Sequence, residues 1–308
     1  MVRRHDPYPS RTGGQEAIHP RQDPVIYGGP QAGTPGALSG EQLQQFEREG
    51  YLVLPDLFSD LLEPIREEFH TLSRRMRGDE ALYTEPDSDE PRTLFKVHAW
   101  SDLLQQVMRD PRILTPVQQI LGSAATTMQS RINIKPAFKG KSFPWHSDFE
   151  TWHVEDGMPR MRAVTAWIML TDNSPHNGPL YVIPGSHKHY VSCAGTTGRE
   201  NYRTSLRRQT LGVPRSETLK DMLQEQPIHT VSGRAGTLVF HDCNLLHGSP
   251  DNISADPRSI LMYVYNSVEN AVEAPFSDLP PRPHYLCDRE AQPLSALQQP
   301  LQVPARAA

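Results

Sequence analysis

FPWHSDFETWHVEDGMP, residues 143–159, gathers two histidines, four carboxylates (Asp148, Glu150, Glu155, Asp156) and two tryptophans in one short run. Surface loops rarely hold two Trp and core strands rarely hold four acids, so the run reads as a site. Taken as an extended segment over 143–150, it projects His146 and Asp148 to the same side, because residues two apart on a strand share a face. Both can then reach one metal ion. A third ligand from elsewhere completes a 2-His-1-carboxylate face with open positions for substrate and oxygen, the arrangement of non-haem Fe(II) oxygenases. The HxD triplet alone is weak, since thirteen histidines produce roughly one such triplet by chance. His153-Val-Glu155 is an internal rival with similar spacing.

Further along, GTLVFHDCNLLHGSPDN (236–252) places His247 at the end of an apolar strand. Gly248 follows it and lets a ligand approach the backbone. His241, six residues earlier, is an alternative ligand, and His247 alone would suit a structural role. Eleven residues on, Arg258 opens the next strand, SILMYVYNSV. If the two strands are antiparallel neighbours, Arg258 returns to the vicinity of His247. It then offers a fixed guanidinium able to hold a carboxylate in bidentate fashion. Iron beside a carboxylate anchor suits 2-oxoglutarate, whose keto-acid end chelates the metal while its far carboxylate needs a cation. The expectation is a catalytic Fe(II) centre at His146, Asp148 and His247, with 2-oxoglutarate as co-substrate, Arg258 as its clamp and O2 as oxidant.

The surrounding pattern assigns these residues to a fold. Residues 1–38 are rich in Pro, Gly and polar residues and read as a flexible or surface-draped arm. Ser39-Gly-Glu-Gln42 is a capping box opening a short helix that ends at Gly50, and YLVLP (51–55) follows as a strand. From Ser59, Leu61, Leu62, Ile65, Phe69, Leu72 and Met76 recur at helical spacing. Residues 81–92 read as an acidic loop, and short helices are expected at 101–109 and 111–121. After Gly122 the texture changes to strands at 126–138, 143–150, 162–171, 179–183, 236–240, 244–248 and 258–268. A loop at 193–215 and a helix at 216–225 interrupt them. Helices first and many short strands afterwards, without βαβ alternation, predict a mainly β fold with flanking helices, an antiparallel sandwich or barrel carrying the helices on one outer face. One oxygenase domain is expected over 39–291 (helices mainly 39–122, β core 123–270), with a loose tail at 292–308. On the strand 126–138, Gln129, Arg131, Asn133 and Lys135 share the face opposite Ser130, Ile132 and Ile134. That polar face either meets water or lines the inside of a barrel holding a charged ligand.

Composition narrows the class. A net charge of −5 and the lack of a basic stripe argue against nucleic-acid binding. No apolar segment approaches membrane-spanning length, and MVRRHDPYPSRTGG has no apolar run suited to a secretory signal. Cys193, Cys243 and Cys287 are far apart, with no CxxC pair, so reduced thiols in a cytoplasmic protein are expected. The sequence sets no oligomeric state, and a homodimer is compatible with it.

FPWHSDFETWHVEDGMPRMR closely resembles the signature of the ectoine hydroxylases, bacterial members of the phytanoyl-CoA dioxygenase-like superfamily of iron/2-oxoglutarate oxygenases. QSRINIKPAFKGKSF, NGPLYVIPGSHK, LLHGSPDN, YNSVEN and the early RQDPVIYG resemble that family as well, so the similarity runs from about residue 20 to 290. The resemblance implies a double-stranded β-helix (jelly-roll, cupin-like) core. It also implies hydroxylation of ectoine to 5-hydroxyectoine, a compatible solute of osmotic stress, with 2-oxoglutarate decarboxylated to succinate. Carried over by position, His146, Asp148 and His247 match the iron ligands. Arg258 matches the clamp on the distal carboxylate, with Lys135, Asn133, Ser249 and Thr165 in that pocket. Gln129, Arg131, Thr151 and Trp152 match substrate-contacting positions. Ectoine, a small ring bearing a carboxylate and an amidinium, calls for a guanidinium such as Arg131 and an aromatic face such as Trp152. Two residues depart from the pattern. Tyr265 stands where Phe is expected, on a substrate wall, and Trp167 in RAVTAWIMLTDN stands where a smaller residue is expected, narrowing the pocket. These keep open a related oxygenase acting on another small amino acid such as proline. A non-catalytic jelly-roll solute-binding protein is the reading from another class. Loop 193–215 reads as a lid or a solvated basic loop.

Overall fold

The structure, a computed structural model, describes residues 5–31, 33–224 and 226–303. Residues 1–4, 32 and 304–308 of the expected arm and tail lie outside the described residues.

Local chemistry sets the helical layer. Ser39 Oγ accepts from the Gln42 amide at 3.2 Å while the Gln42 side chain accepts from the Ser39 amide at 2.8 Å. This reciprocal cap starts the helix Gly40–Glu49, which stops at Gly50 with φ +80°. The helices Leu62–Arg75 and Pro111–Leu121 follow, the latter capped by the Asp110 carboxylate. Phe46, Ile65, Ile113, Val117 and Ile120 from these helices bury against Leu261, Tyr263 and Tyr265 of a large sheet. Each such side chain contributes roughly 1.5–3 kcal/mol of hydrophobic stabilisation.

That sheet has seven strands in the order Tyr51–Leu54, Leu238–Asp242, Ala163–Met169, Arg258–Ser267, Ala125–Lys135, Pro91–Phe95 and Leu82–Thr84, every neighbour antiparallel. A smaller antiparallel sheet runs His229–Val231, Leu180–Val182, His247–Ser249, Phe143–His146. Trp167, Met169, Val239, Ile260 and Met262 from the large sheet pack onto Leu180, Val182, Val231 and Leu245 from the small one. The two sheets therefore face each other across a shared interior, with the helices Gly40–Glu49, Leu62–Arg75 and Pro111–Leu121 on the outside of the larger and Ser216–Leu223 packed beside the smaller. This is the expected mainly β, jelly-roll core with flanking helices.

Several local expectations are corrected. The segment expected to be a strand over 143–150 is extended only to His146. Ser147 then caps a helical turn Asp148–Thr151, its Oγ accepting from the Glu150 amide, and a π-turn Trp152–Asp156 ends at Gly157 with φ +77°. The acidic stretch 81–92 is a hairpin that extends the large sheet, with Glu85 folded inward onto Arg92. The arm does drape over the surface, yet it is anchored. Ala17–Pro20 pairs with His189–Ser192, and Tyr8, Ser10, Arg11 and Asp23 are buried. The tail docks too. The Leu294 amide donates to the Ala125 carbonyl and the Leu297 amide to the Arg109 carbonyl, while Leu294 and Leu301 pack on the core.

Candidate active site

His146 and His247 are cross-strand partners in the small sheet, with ring centroids 4.2 Å apart. Ser147 turns the chain so that Asp148, two residues past the strand, faces both rings. One ligand atom from each of His146, Asp148 and His247 lies within 4.8 Å of the others. His146 Nδ1–H donates to the Pro144 carbonyl at 2.8 Å and His247 Nδ1–H to the Leu245 carbonyl at 2.9 Å. Carbonyls only accept, so each Nε2 carries the lone pair, as metal-binding imidazoles require. Burial, and then the neighbouring His146, push His247 well below its ordinary pKa, keeping the ring neutral. Burial opposes ionisation of Asp148, but His146, His241, His247 and Arg131 hold its pKa well below the carboxylate range. Two imidazoles whose Nδ1–H groups are already engaged and an ionised carboxylate, all buried, fit a ferrous ion.

Every other charged residue of the opening stretch has a partner. Glu150 and Glu155 both bind Arg11 from the arm, with Arg11 Nε donating to Glu150 Oε1 at 2.9 Å. Asp156 takes Arg282 through two nitrogens. His153 is structural: Nδ1 donates to the Met158 carbonyl at 2.7 Å, and the ring stacks on Phe276 at 3.9 Å. The rival pair His153 and Glu155 is thereby excluded as a metal site. His241 is not a ligand of the cluster either, although it lies beneath it.

One cavity joins the cluster to the polar face of Ala125–Lys135, and Gln129, Arg131, Asn133 and Lys135 all line it. At one end Lys135 is the cross-strand partner of Arg258. Arg258 is buried, its Nε has no partner among the described residues, and burial followed by Arg92 pushes it down to about 10. Burial, Arg258 and Arg92 push Lys135 down to about 6 against the opposing pull of Glu85 and Asp251, and its Nζ donates to the Lys141 and Pro250 carbonyls. The buried Arg258 guanidinium, with the Lys135 amine as its cross-strand neighbour, forms a receptor for an anion. Ser249 borders the same end. Further along the strand, Arg131 donates to Gln129, and Thr151 and Trp152 complete the wall.

Some expected placements fail. Arg258 and His247 are not on neighbouring strands: they belong to different sheets and meet because the sheets face each other. Tyr265 does not reach the cavity. Strand alternation turns it toward the helices, where its hydroxyl donates to the Met108 carbonyl at 2.7 Å. Thr165 faces the interior, beside His241 in register, but lies outside the cavity lining. Trp167 does not narrow the cavity; it fills the interior below it. Residues 205, 206, 209 and 211 of loop 193–215 do cover the cavity. Reading the sequence misses Arg11, Arg92 and Arg282, which also line it. Each sits in a Pro-rich or acidic stretch with no periodicity, and only the unmatched acids of 143–159 hint that such cations exist.

The fold and this triad define a jelly-roll oxygenase of the 2-His-1-carboxylate type. The chain belongs to the phytanoyl-CoA dioxygenase (PhyH) family, whose profile matches residues 46–260. Among named relatives, the ectoine dioxygenase of Bordetella bronchiseptica is 47% identical over 300 residues, covering 95% of this chain and 96% of the relative. That of Halomonas elongata is 44% identical over 286 residues, covering 91% and 85%. Two crystal structures of EctD from S. alaskensis superpose closely. The form with bound Fe has a TM-score of 0.84 at 39% identity, covering 96% of this chain and 99% of that one. The form with 2-oxoglutarate and 5-hydroxyectoine has a TM-score of 0.83 at 38% identity, covering 97% and 99%.

Proposed function

We propose that this protein is an Fe(II)- and 2-oxoglutarate-dependent dioxygenase that hydroxylates ectoine to 5-hydroxyectoine, releasing succinate and CO2. The product is a compatible solute, and the activity serves protection against osmotic stress. One observation carries the reading: a single cavity with two chemically different ends meets at a 2-His-1-carboxylate cluster.

Iron held by His146, Asp148 and His247 supplies the oxidative chemistry, activating O2 together with the decarboxylation of 2-oxoglutarate. The chain's own residues bind, orient and exclude. Arg258 receives the distal carboxylate of 2-oxoglutarate, and Lys135, Asn133 and Ser249 shape its pocket. Arg131 and Arg282 offer guanidinium groups to the ectoine carboxylate, with Gln129 and Thr151 as hydrogen-bond partners. Trp152 offers an aromatic face to the amidinium. Loop 193–215 and the arm enclose the cavity, so that the reacting groups meet away from bulk water.

Action in the cytoplasm belongs to the same reading. Free, buried Cys193, Cys243 and Cys287 suit a reducing compartment. A homodimer is compatible with this reading, and sedimentation reads the assembly. The deciding experiment incubates the protein with Fe(II), 2-oxoglutarate and ectoine and detects one added oxygen atom by mass. Turnover of proline in place of ectoine in the same panel, read as succinate, would redirect the substrate assignment. Absence of any iron-dependent O2 uptake would leave a solute-binding protein.

A further inference from the structure

Three imidazoles surround the Asp148 carboxylate, and they do not present the same atom to it. His146 and His247 turn lone pairs inward because their Nδ1–H groups donate to backbone carbonyls. His241 is held by a different partner. Trp167, fully buried on the neighbouring strand, donates its indole N–H to His241 Nδ1 at 3.1 Å. Register explains the meeting: Trp167 opposes Val239 and Thr165 opposes His241, so Trp167 and His241 are diagonal neighbours on the interior face. An indole nitrogen only donates, so His241 Nδ1 accepts and the ring's proton sits on Nε2. That Nε2 faces Asp148 Oδ2 at 3.5 Å. Neither atom has a hydrogen-bond partner among the described residues, and both are buried.

We propose that Trp167 and His241 form a positioning pair: the indole fixes the imidazole tautomer, and the imidazole Nε2–H anchors Asp148 Oδ2 so that the carboxylate meets the metal in one orientation. The pair rests on the assignment of His146, Asp148 and His247 as ligands. A modest turn of the carboxyl group about its soft terminal torsion brings 3.5 Å into hydrogen-bonding range. The arrangement also explains why His241, whose ring centroid lies 5.1 Å from that of His247, is no ligand: it offers the cluster a proton, not a lone pair. Trp167, a bulky residue where a small one is expected, thus acts through His241 and not by filling the substrate space.

The test is anaerobic Co(II) titration of the full-length protein, following affinity and the visible d–d spectrum. His241→Leu removes the donor and is expected to weaken Co(II) binding by about 10–100-fold and to alter the spectrum. His241→Gln, whose amide can donate to Oδ2, is expected to recover most of the affinity. Trp167→Phe keeps the ring packing but deletes the indole donor, and is expected to show a smaller loss with a shifted spectrum. Parent-like affinity and spectrum in both His241→Leu and Trp167→Phe overturn the pair, as does a His241→Gln protein no better than His241→Leu. Asp148→Ala serves as the control: Co(II) binding that survives it sinks the ligand assignment itself, a separate outcome.

Discussion

Asp148 is held by geometry that tolerates no shortening. Asp148→Ala is expected to abolish ectoine-dependent succinate release, and undiminished turnover would refute the triad. Trp152 should separate the two ligands. Trp152→Ala is expected to weaken ectoine binding by about 1–2 kcal/mol through loss of the cation–π face, with a smaller effect on 2-oxoglutarate; equal losses in calorimetry would make Trp152 a packing residue. Lys135 gives a pH signature. Burial lowers it from its ordinary 10.5 to about 6 in the folded protein, so between those values the unfolded chain binds more protons. Stability without 2-oxoglutarate therefore rises with pH across that window, and the burial penalty is complete below about pH 6. Lys135→Met should flatten this slope in chemical denaturation between pH 6 and 9, and an unchanged slope would assign the effect elsewhere.

The arm, the turn at 147–157 and the hairpin at 82–95 show how elements share the site. Arg11, with φ +54°, enters the wall from far away in sequence and pairs with Glu150 and Glu155, all three nearly inaccessible. Arg11→Ala leaves two buried carboxylates without their cation, so a loss of about 3–5 kcal/mol in unfolding free energy is expected; a change under 1 kcal/mol would show that water or a neighbour replaces it. The sequence makes some of this legible. Ser39 and Gln42 spell a cap, and the apolar strand before His247 has a clear period. His146 and Asp148 are recognisable as a pair even though the chain turns helical between them, because Ser147 caps as readily as it extends. Other parts are hidden for physical reasons. The hairpin's acids at 85–90 look like a solvated loop, since the burial of Glu85 depends on Arg92 lying opposite. The anchorage of the arm depends on partners at 150, 155 and 193, which no local pattern encodes. Tyr265 is misplaced by resemblance because its strand alternates, and the helical face holds it.

At the scale of the whole molecule, the cavity is organised around a charge imbalance. Arg92 has Glu85, but the Arg258 guanidinium and the Lys135 amine have no carboxylate ion-pair partner among the described residues. A fold optimised only for stability would not enclose them. Arg258→Met is therefore expected to leave the ligand-free protein as stable as the parent or more so. It should also remove the stabilisation that 2-oxoglutarate gives the metal-loaded parent, about 2.7 kcal/mol at a hundred times its dissociation constant. Thermal denaturation with and without 2-oxoglutarate reads both effects, and a variant still stabilised by the ligand would place its clamp elsewhere.

The union of Ser10 with Cys193 spans 183 positions. During synthesis at about 5–20 residues per second, the opening residues must wait roughly 10–40 s before their docking strand exists. Until then Tyr8 has no seat and the future pocket lacks a wall. Ribosome-bound chains should acquire a competent centre only after the docking strand around Cys193 and the ligand His247 have been made.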